Sequence, residues 1–246
     1  MRPRFHVPGV NAASERVELP DDEAEHLVRV LRLGVGDEVD IFDGAGTLWR
    51  AEVVQVGKRS ASVRRIEELE PARELDVRVT LVMSVLKGDK GDEVVRDAVM
   101  LGVAGIRPVI AERSETSMAA MARSSRIARW QRIAVASAKQ CGRAVVPTIH
   151  AATPLDWYWS ERIDAARVMC VEPSAALGEV LPVQSVRRSP AVDLMVGPEG
   201  GWAVAEVAAG HDSGAILMSL GTRTLRADAV PIIAMTALLT SWGELK

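Results

Sequence analysis

The sequence is poor in aromatic residues: six tryptophans, two phenylalanines and one tyrosine make up 4% of its 246 residues. That scarcity argues against the stacking platform with which single-stranded nucleic acid is commonly gripped. Cysteine is nearly absent. Cys141 and Cys170 are too few and too widely separated for a disulfide framework or a zinc pairing, and the usage fits a reduced, cytoplasmic protein. The four histidines, His6, His26, His150 and His211, are scattered. With no HExxH, CxxC or GxSxG, no metal site is expected and no Ser-His triad is signalled. No GxGxxG opens a helix after a strand, and no GxxxxGKS or GxxxxGKT occurs, so the dinucleotide and P-loop signatures both fail. Net positive charge is lacking too: 30 basic against 33 acidic residues exclude a uniformly basic coat, though not a local basic patch. The longest apolar stretch, Val230 to Leu239, holds Pro231 and Thr236 and is too short to span a bilayer. The N-terminal MRPRFHVPGV has no apolar core of signal-peptide length.

What is present is an ordinary globular balance, 48% apolar and 26% charged, in a chain long enough for one large or two small domains. The polar, proline-broken stretch from Glu67 to Glu74 reads as a linker between domains 1–73 and 74–246. The first part holds short strand patterns at Glu38–Phe42, Thr47–Val56 and Ser60–Ile66, and one helix over Asp21–Leu33 stopped by Gly34 and Gly36. Two aspartates sit where the helix dipole favours negative charge. This pattern predicts a small β-barrel. The second part alternates. Apolar strand patterns at Val77–Val85, Ile106–Ile110, Val168–Val171, Val192–Val196 and Ile216–Leu220 are separated by helical ones at Glu93–Leu101, Arg126–Cys141, Trp202–Ala209 and Ala229–Trp242. That alternation predicts a parallel α/β sheet.

Three features carry chemistry. In the first, an apolar strand runs into Gly197-Pro198-Glu199-Gly200-Gly201 and then a helix. Ligands of open α/β sheets bind beyond the carboxyl ends of strands, and glycines there let backbone groups approach them. In the second, the strand ending at Leu220 enters Gly221-Thr222-Arg223-Thr224-Leu225-Arg226-Ala227-Asp228. Arg223 and Arg226 mark either a site or a solvated loop, and Asp228 is placed to cap the last helix. The third is the segment from Arg113 to Arg143, with seven basic residues and one acid, Glu115. On its helix Ile127, Trp130, Ala134, Ala138 and Cys141 share one face, and Arg129, Arg132 and Lys139 lie roughly opposite. That face is either solvated surface or a phosphate-tracking stripe.

The two glycine turns together, Met195 to Gly201 and Leu220 to Arg226, resemble the paired C-terminal motifs of the RsmE-type 16S ribosomal RNA (uracil-N3)-methyltransferases, a SPOUT-class family. The resemblance covers nearly the whole chain: Arg4-Phe5, His26 to Leu33, Gly36-Asp37, Phe42-Asp43-Gly44, Lys87-Gly88-Asp89, Leu101-Gly102-Val103, Glu112-Arg113-Ser114, and Gln140 with Arg143. The chain departs from the family pattern at Asp97 and Met100, at His6 and Thr224, and at Ala227-Asp228-Ala229, where Thr-Glu-Thr is usual.

The resemblance implies an N-terminal PUA-like β-barrel that binds RNA and a C-terminal SPOUT α/β domain closed by a trefoil knot. It implies S-adenosylmethionine as cofactor, 16S ribosomal RNA in the small ribosomal subunit as partner, and a homodimer, with no membrane and no metal. For the cofactor it points to Glu172, Val196, Gly197, Pro198, Glu199, Gly200, Gly201, Ser219, Leu220, Gly221 and Leu225. Uracil N3 must lose its proton to become nucleophilic, and an arginine aimed at a ring carbonyl would stabilise the resulting anion. Arg226 is the first candidate for that role and Arg223 the second. Glu199 qualifies as a general base only if burial raises its pKa; otherwise it pins its turn. N3 lies on the Watson–Crick edge, so a paired uridine must be opened or flipped. Arg2, Arg4, Lys87, Arg113, Arg129, Arg132, Lys139 and Arg143 are the candidate grips on RNA. Three alternatives stay open: a SPOUT enzyme for another base, a non-catalytic RNA-binding module, and a generic α/β enzyme acting on a small anion.

Overall fold

The structure, a computed structural model, describes residues 2–10, 14–173 and 179–245. Residue contacts divide it into two units, Met1–Glu74 with Val135–Val146, and Leu75–Ala134 with Pro147–Lys246. Residues 135–146 thus belong with the N-terminal unit although they lie far along the chain, which no single boundary in the sequence expresses.

In the first unit, β1 (Arg4–His6), β2 (Arg16–Glu18), β3 (Glu38–Phe42), β4 (Leu48–Val56) and β5 (Ala61–Leu69) form one curled sheet in the order β1-β3-β4-β5-β2. β1 joins β3 in parallel and the other pairs are antiparallel. The sheet ends at β1 and β2, which do not pair with each other among the described residues, so the barrel expected from sequence is a curled sheet. Alternate side chains bury Val39, Ile41, Ala51, Val53 and Val63 around Phe5 and Leu27.

The expected helix begins as α1 (Asp21–Glu25), with Asp21, Asp22 and Glu23 in its first turn, and continues as a π-helix, His26–Leu31. It ends before the glycines expected to stop it. Arg32 adopts the left-handed conformation at φ 56°, and the N–H groups of both Arg32 and Leu33 turn back to the Leu27 carbonyl.

The second unit holds an eight-stranded sheet. Its strands are β6 (Arg78–Ser84), β7 (Gly105–Ile110), β8 (Thr148–Ile149), β9 (Thr153–Pro154), β10 (Ala166–Cys170), β11 (Val180–Pro182), β12 (Ala191–Val196) and β13 (Ile216–Ser219). The order is β11-β13-β10-β12-β6-β7-β8, with β9 also on β7, and every pairing is parallel. All six residues of β12 are buried, as the near-continuous apolar run of a central parallel strand requires. One of them is Asp193, whose carboxylate accepts a 2.8 Å hydrogen bond from the Tyr158 hydroxyl. Desolvation and that negative neighbour push the Tyr158 phenol well above its ordinary pKa, so it remains a donor.

The helices are α2 (Lys90–Met100), α3 (Met118–Arg123), α4 (Arg126–Cys141), α5 (Leu155–Ser160), α6 (Val204–Asp212) and α7 (Val230–Ser241). α4 has the span expected of it, and Trp130, Ala134 and Ala138 are its buried face. The helix expected from Trp202 starts two residues later because Trp202 and Ala203 are otherwise engaged. The Trp202 indole donates to the Cys170 carbonyl at 2.9 Å, and the Ala203 N–H donates to the Glu206 carboxylate at 2.8 Å. The elements sequence reasoning missed (β1, β2, α3, α5, β8, β9 and β11) are six residues or fewer, too short for a periodic signal.

Candidate active site

Three neighbouring parallel strands, β12, β10 and β13, end level with one another: Met195 pairs with Met169, and Cys170 with Met218. Their carboxyl ends therefore release three loops at one edge of the sheet, where ligands of open α/β sheets bind. The loops enclose a cavity of about 700 Å³, within the range of small-molecule sites.

The turn after β12 forms one wall. Its Gly201 N–H donates to the Pro198 carbonyl at 2.9 Å. Gly201 has φ +68°, and a Cβ there would stand 3.2 Å from the Glu172 carboxylate in the loop after β10. A Cβ on Gly197 would lie 3.0 Å from the Trp202 ring. The glycines are thus required by turn geometry and close packing as well as by access to the cavity. Arg113, itself a lining residue, steadies the turn by donating to the Gly200 carbonyl at 2.9 Å. The Arg113 loop is itself tied down: Glu112 N–H donates to Glu206 at 2.7 Å, and Ser114 and Ser84 share a 2.8 Å hydroxyl hydrogen bond.

Glu199 accepts from the Lys87 N–H at 3.1 Å and from the Lys90 ammonium at 3.0 Å. Burial pushes its carboxyl up, but hydrogen bonds from its own backbone, Lys90 and Lys87 outweigh that and hold it below the ordinary carboxylate value. Its contacts with Lys87 and Lys90 tie the turn after β12 to the segment that opens α2.

Arg226 stands at the rim with its side chain 76% exposed, and its guanidinium makes a bidentate ion pair with Asp228. Asp228 does not cap α7, as expected from sequence; the cap residue is Ala229 and no side chain serves it. Pro231 falls in the first turn, where no helical N–H partner is lost.

Of the cofactor candidates, Glu172, Val196, Gly197, Pro198, Glu199, Gly200, Gly201, Leu220 and Leu225 line this cavity, together with Arg223 and Arg226. Ser219 and Gly221 do not. Ser219 ends β13 in register with Pro182, and a side chain at Gly221 would meet nothing. Sequence reasoning missed Lys90, which follows the singled-out Lys87-Gly88-Asp89, and Cys170 and Val171 at the end of β10. The signal that picked the other two strand ends applied to β10 as well, but no glycine turn drew attention to it.

The candidate RNA grips are not brought together. Arg4 and Arg143 are corrections: both are buried, at 9% and 6% exposure. Arg4 donates to the carbonyls of Ala138 and Lys139, in the last turn of α4, and of Arg143, two residues beyond it, where a cation suits the dipole. Arg143 grips the Glu74 carboxylate through Nε and Nη2. Lys139 is also corrected: both Glu23 oxygens accept from its ammonium, at 2.9 and 2.6 Å, so it is committed within the N-terminal unit. Arg2 pairs with Glu38 and Lys87 with Glu115; Arg129 pairs with Asp89 and Asp92. On the basic face of α4, Arg129 and Lys139 are thus paired within the chain, and Arg132 is exposed without a carboxylate partner among the described residues.

Comparison with known proteins bears on this architecture. An RNA methyltransferase domain family model matches residues 73–239, and an RNA methyltransferase PUA domain model matches residues 19–64. A ribosomal RNA small subunit methyltransferase E from Synechocystis is 31% identical, over 90% of this chain and 72% of its own length. The chain belongs to the ribosomal RNA small subunit methyltransferase E family. Its Bacillus subtilis member is 28% identical, over 88% of this chain and 87% of its own. The Neisseria gonorrhoeae member, whose crystal structure has S-adenosylmethionine bound, superposes with a TM-score of 0.88 at 30% identity, covering 98% of both chains. Among the described residues, no helix is long and apolar enough to cross a membrane, and no cluster of histidine, cysteine, aspartate and glutamate is able to hold a metal ion.

Proposed function

We propose that this chain methylates N3 of a uracil in the 16S ribosomal RNA of the small subunit, in the cytoplasm, using S-adenosylmethionine. The observation that carries the reading is the glycine-walled cavity at the ends of β10, β12 and β13, with an exposed arginine at its rim. The donor set fits the cofactor. Glycines where a Cβ would crowd Trp202 and Glu172 keep the wall thin, and the Glu172 carboxylate in the lining would suit the cofactor's cationic amino group. Glu172, Val196 to Gly201, Leu220 and Leu225 are the residues assigned to that binding. The loops after β12 and β13 are those a trefoil knot would thread, and the knotted topology and a homodimer form part of the proposal.

When bound, S-adenosylmethionine would supply a methyl carbon already electrophilic on its sulfonium sulfur, with S-adenosylhomocysteine as the leaving thioether and the N3 proton passing to solvent. The protein's part is to place N3 in line and to exclude water. Arg226, with Arg223 as the second candidate, stabilises the negative charge that deprotonation spreads onto the uracil carbonyl oxygens. Glu199 stays ionised throughout and holds the cofactor turn.

The test is a methyl-transfer assay on small ribosomal subunits lacking the modification, followed by digestion of the RNA and mass spectrometry. 3-Methyluridine is the expected product. A different methylated base would retain the family chemistry and change the target. No methylation and no cofactor binding would leave an RNA-binding module.

RNA grip is tested separately. Arg132→Ala should shallow the dependence of log affinity on log salt by about one, the loss of one phosphate contact. Arg143→Ala should leave that slope unchanged and destabilise the N-terminal unit by roughly 2 kcal/mol, the scale of lost hydrogen bonds between charged groups. Binding titrations at several salt concentrations and chemical denaturation read the two effects.

A further inference from the structure

Asp228 stands where the family pattern has glutamate, and the structure frees it from the helix-capping role. Its carboxylate takes Nε of Arg226 on one oxygen at 3.1 Å and Nη2 on the other at 2.6 Å. The two partners differ in freedom: the Asp228 side chain is 14% exposed and that of Arg226 76%. The acid is also fixed through the backbone. The Arg226 carbonyl accepts from the N–H groups of Ala229, at 2.9 Å, and Val230, at 3.1 Å, which locks residue 228 into the entry to α7. The anchored member therefore sets where the mobile one points. A guanidinium is a planar fork, so two bonds to one carboxylate fix its plane as well as its position. Nη1 is the edge left without a partner among the described residues. Lys90, which also lines the cavity, bonds Glu199 and acts electrostatically on Asp228, so charges of alternating sign connect the two glycine turns.

We infer that Asp228 is a positioning residue, which holds Arg226 by Nε and Nη2 and presents the Nη1 edge to a carbonyl oxygen of the target base. The inference rests on the reading of Arg226 given above. An exposed ion pair of this kind adds little to stability, so the effect of losing it falls on orientation. Asparagine keeps the shape of Asp228 but has a single acceptor oxygen, and it releases one arm of the fork. Glutamate keeps both oxygens on a side chain one methylene longer.

The test compares Asp228→Asn, Asp228→Glu, Arg226→Ala and the double variant R226A/D228N in the small-subunit assay, with cofactor binding and melting temperature measured alongside. D228N should lower kcat about tenfold to a hundredfold, the penalty of a misplaced catalytic group, and leave the cofactor Kd and the KM for the subunit within about twofold. D228E should recover kcat to within about threefold of the parent. The double variant should be no slower than R226A alone, because Asp228 acts only through Arg226. An unchanged kcat in D228N, or a double variant slowed by the product of the single effects, would overturn the inference. So would a loss in D228N that D228E does not restore and that a lowered melting temperature accompanies. Failure of the underlying reading looks different: the parent enzyme itself makes no 3-methyluridine, and the role assigned to Asp228 falls with it.

Discussion

Arg226→Ala is expected to lower kcat for methyl transfer by about a hundredfold to a thousandfold, the scale of removing one charge-stabilising donor from an active site. Cofactor affinity should stay within about twofold, because the guanidinium stands at the rim and bonds only Asp228 among the described residues. The physical argument is one of timing. Uracil is neutral before N3 loses its proton and carries a delocalised negative charge afterwards, so a cation beside a ring carbonyl binds the transition state better than the ground state. Single-turnover assays with saturating cofactor, together with calorimetric cofactor binding, separate the two quantities. Equal losses in both would reassign Arg226 to the cofactor. Arg223→Ala, at the same rim, should have the smaller effect.

Gly201→Val is expected to remove measurable cofactor binding, weakening it by more than about a hundredfold. The position combines two constraints. Its φ of +68° suits glycine, and a β-branched residue there is strained. A Cβ would also stand 3.2 Å from a Glu172 oxygen in the loop after β10. Valine would strain the turn closed by Gly201 N–H and the Pro198 carbonyl and press on the Glu172 carboxylate, both parts of the cavity wall. The strain should destabilise the fold by about 1–2 kcal/mol, which leaves the protein folded, so the binding loss is readable by calorimetry and the stability by thermal melting. Normal cofactor affinity in this variant would show that the turn is not the cofactor wall.

Both glycine turns were legible in the sequence because each is a local event, an apolar strand run broken by residues that only a sharp turn favours. Helix α4 was legible to the residue, since its sixteen positions carry a full amphipathic period. The short strands β1 and β2 and the helix α5 were not, because three to six residues hold too little periodicity to exceed the background. The third strand end of the cavity, β10, and the clamp of Lys90 on Glu199 were out of reach for another reason. Lys90 and Glu199 lie 109 residues apart, and only the parallel order β13-β10-β12-β6 brings their loops to one edge.

The basic residues show the same division most clearly. The sequence by itself determined their number, their concentration between Arg113 and Arg143, and the helical face on which Arg129, Arg132 and Lys139 fall. Tertiary structure decided which of them keep their charge for a partner outside the chain. Arg4 reaches carbonyls more than 130 residues away, Lys139 finds Glu23, and Arg143 finds Glu74, while Arg132 finds no carboxylate among the described residues. Periodicity and turn chemistry are short-range properties written in neighbouring residues. Charge pairing and burial depend on which distant segments the fold brings within about 4 Å, the reach of an ion pair.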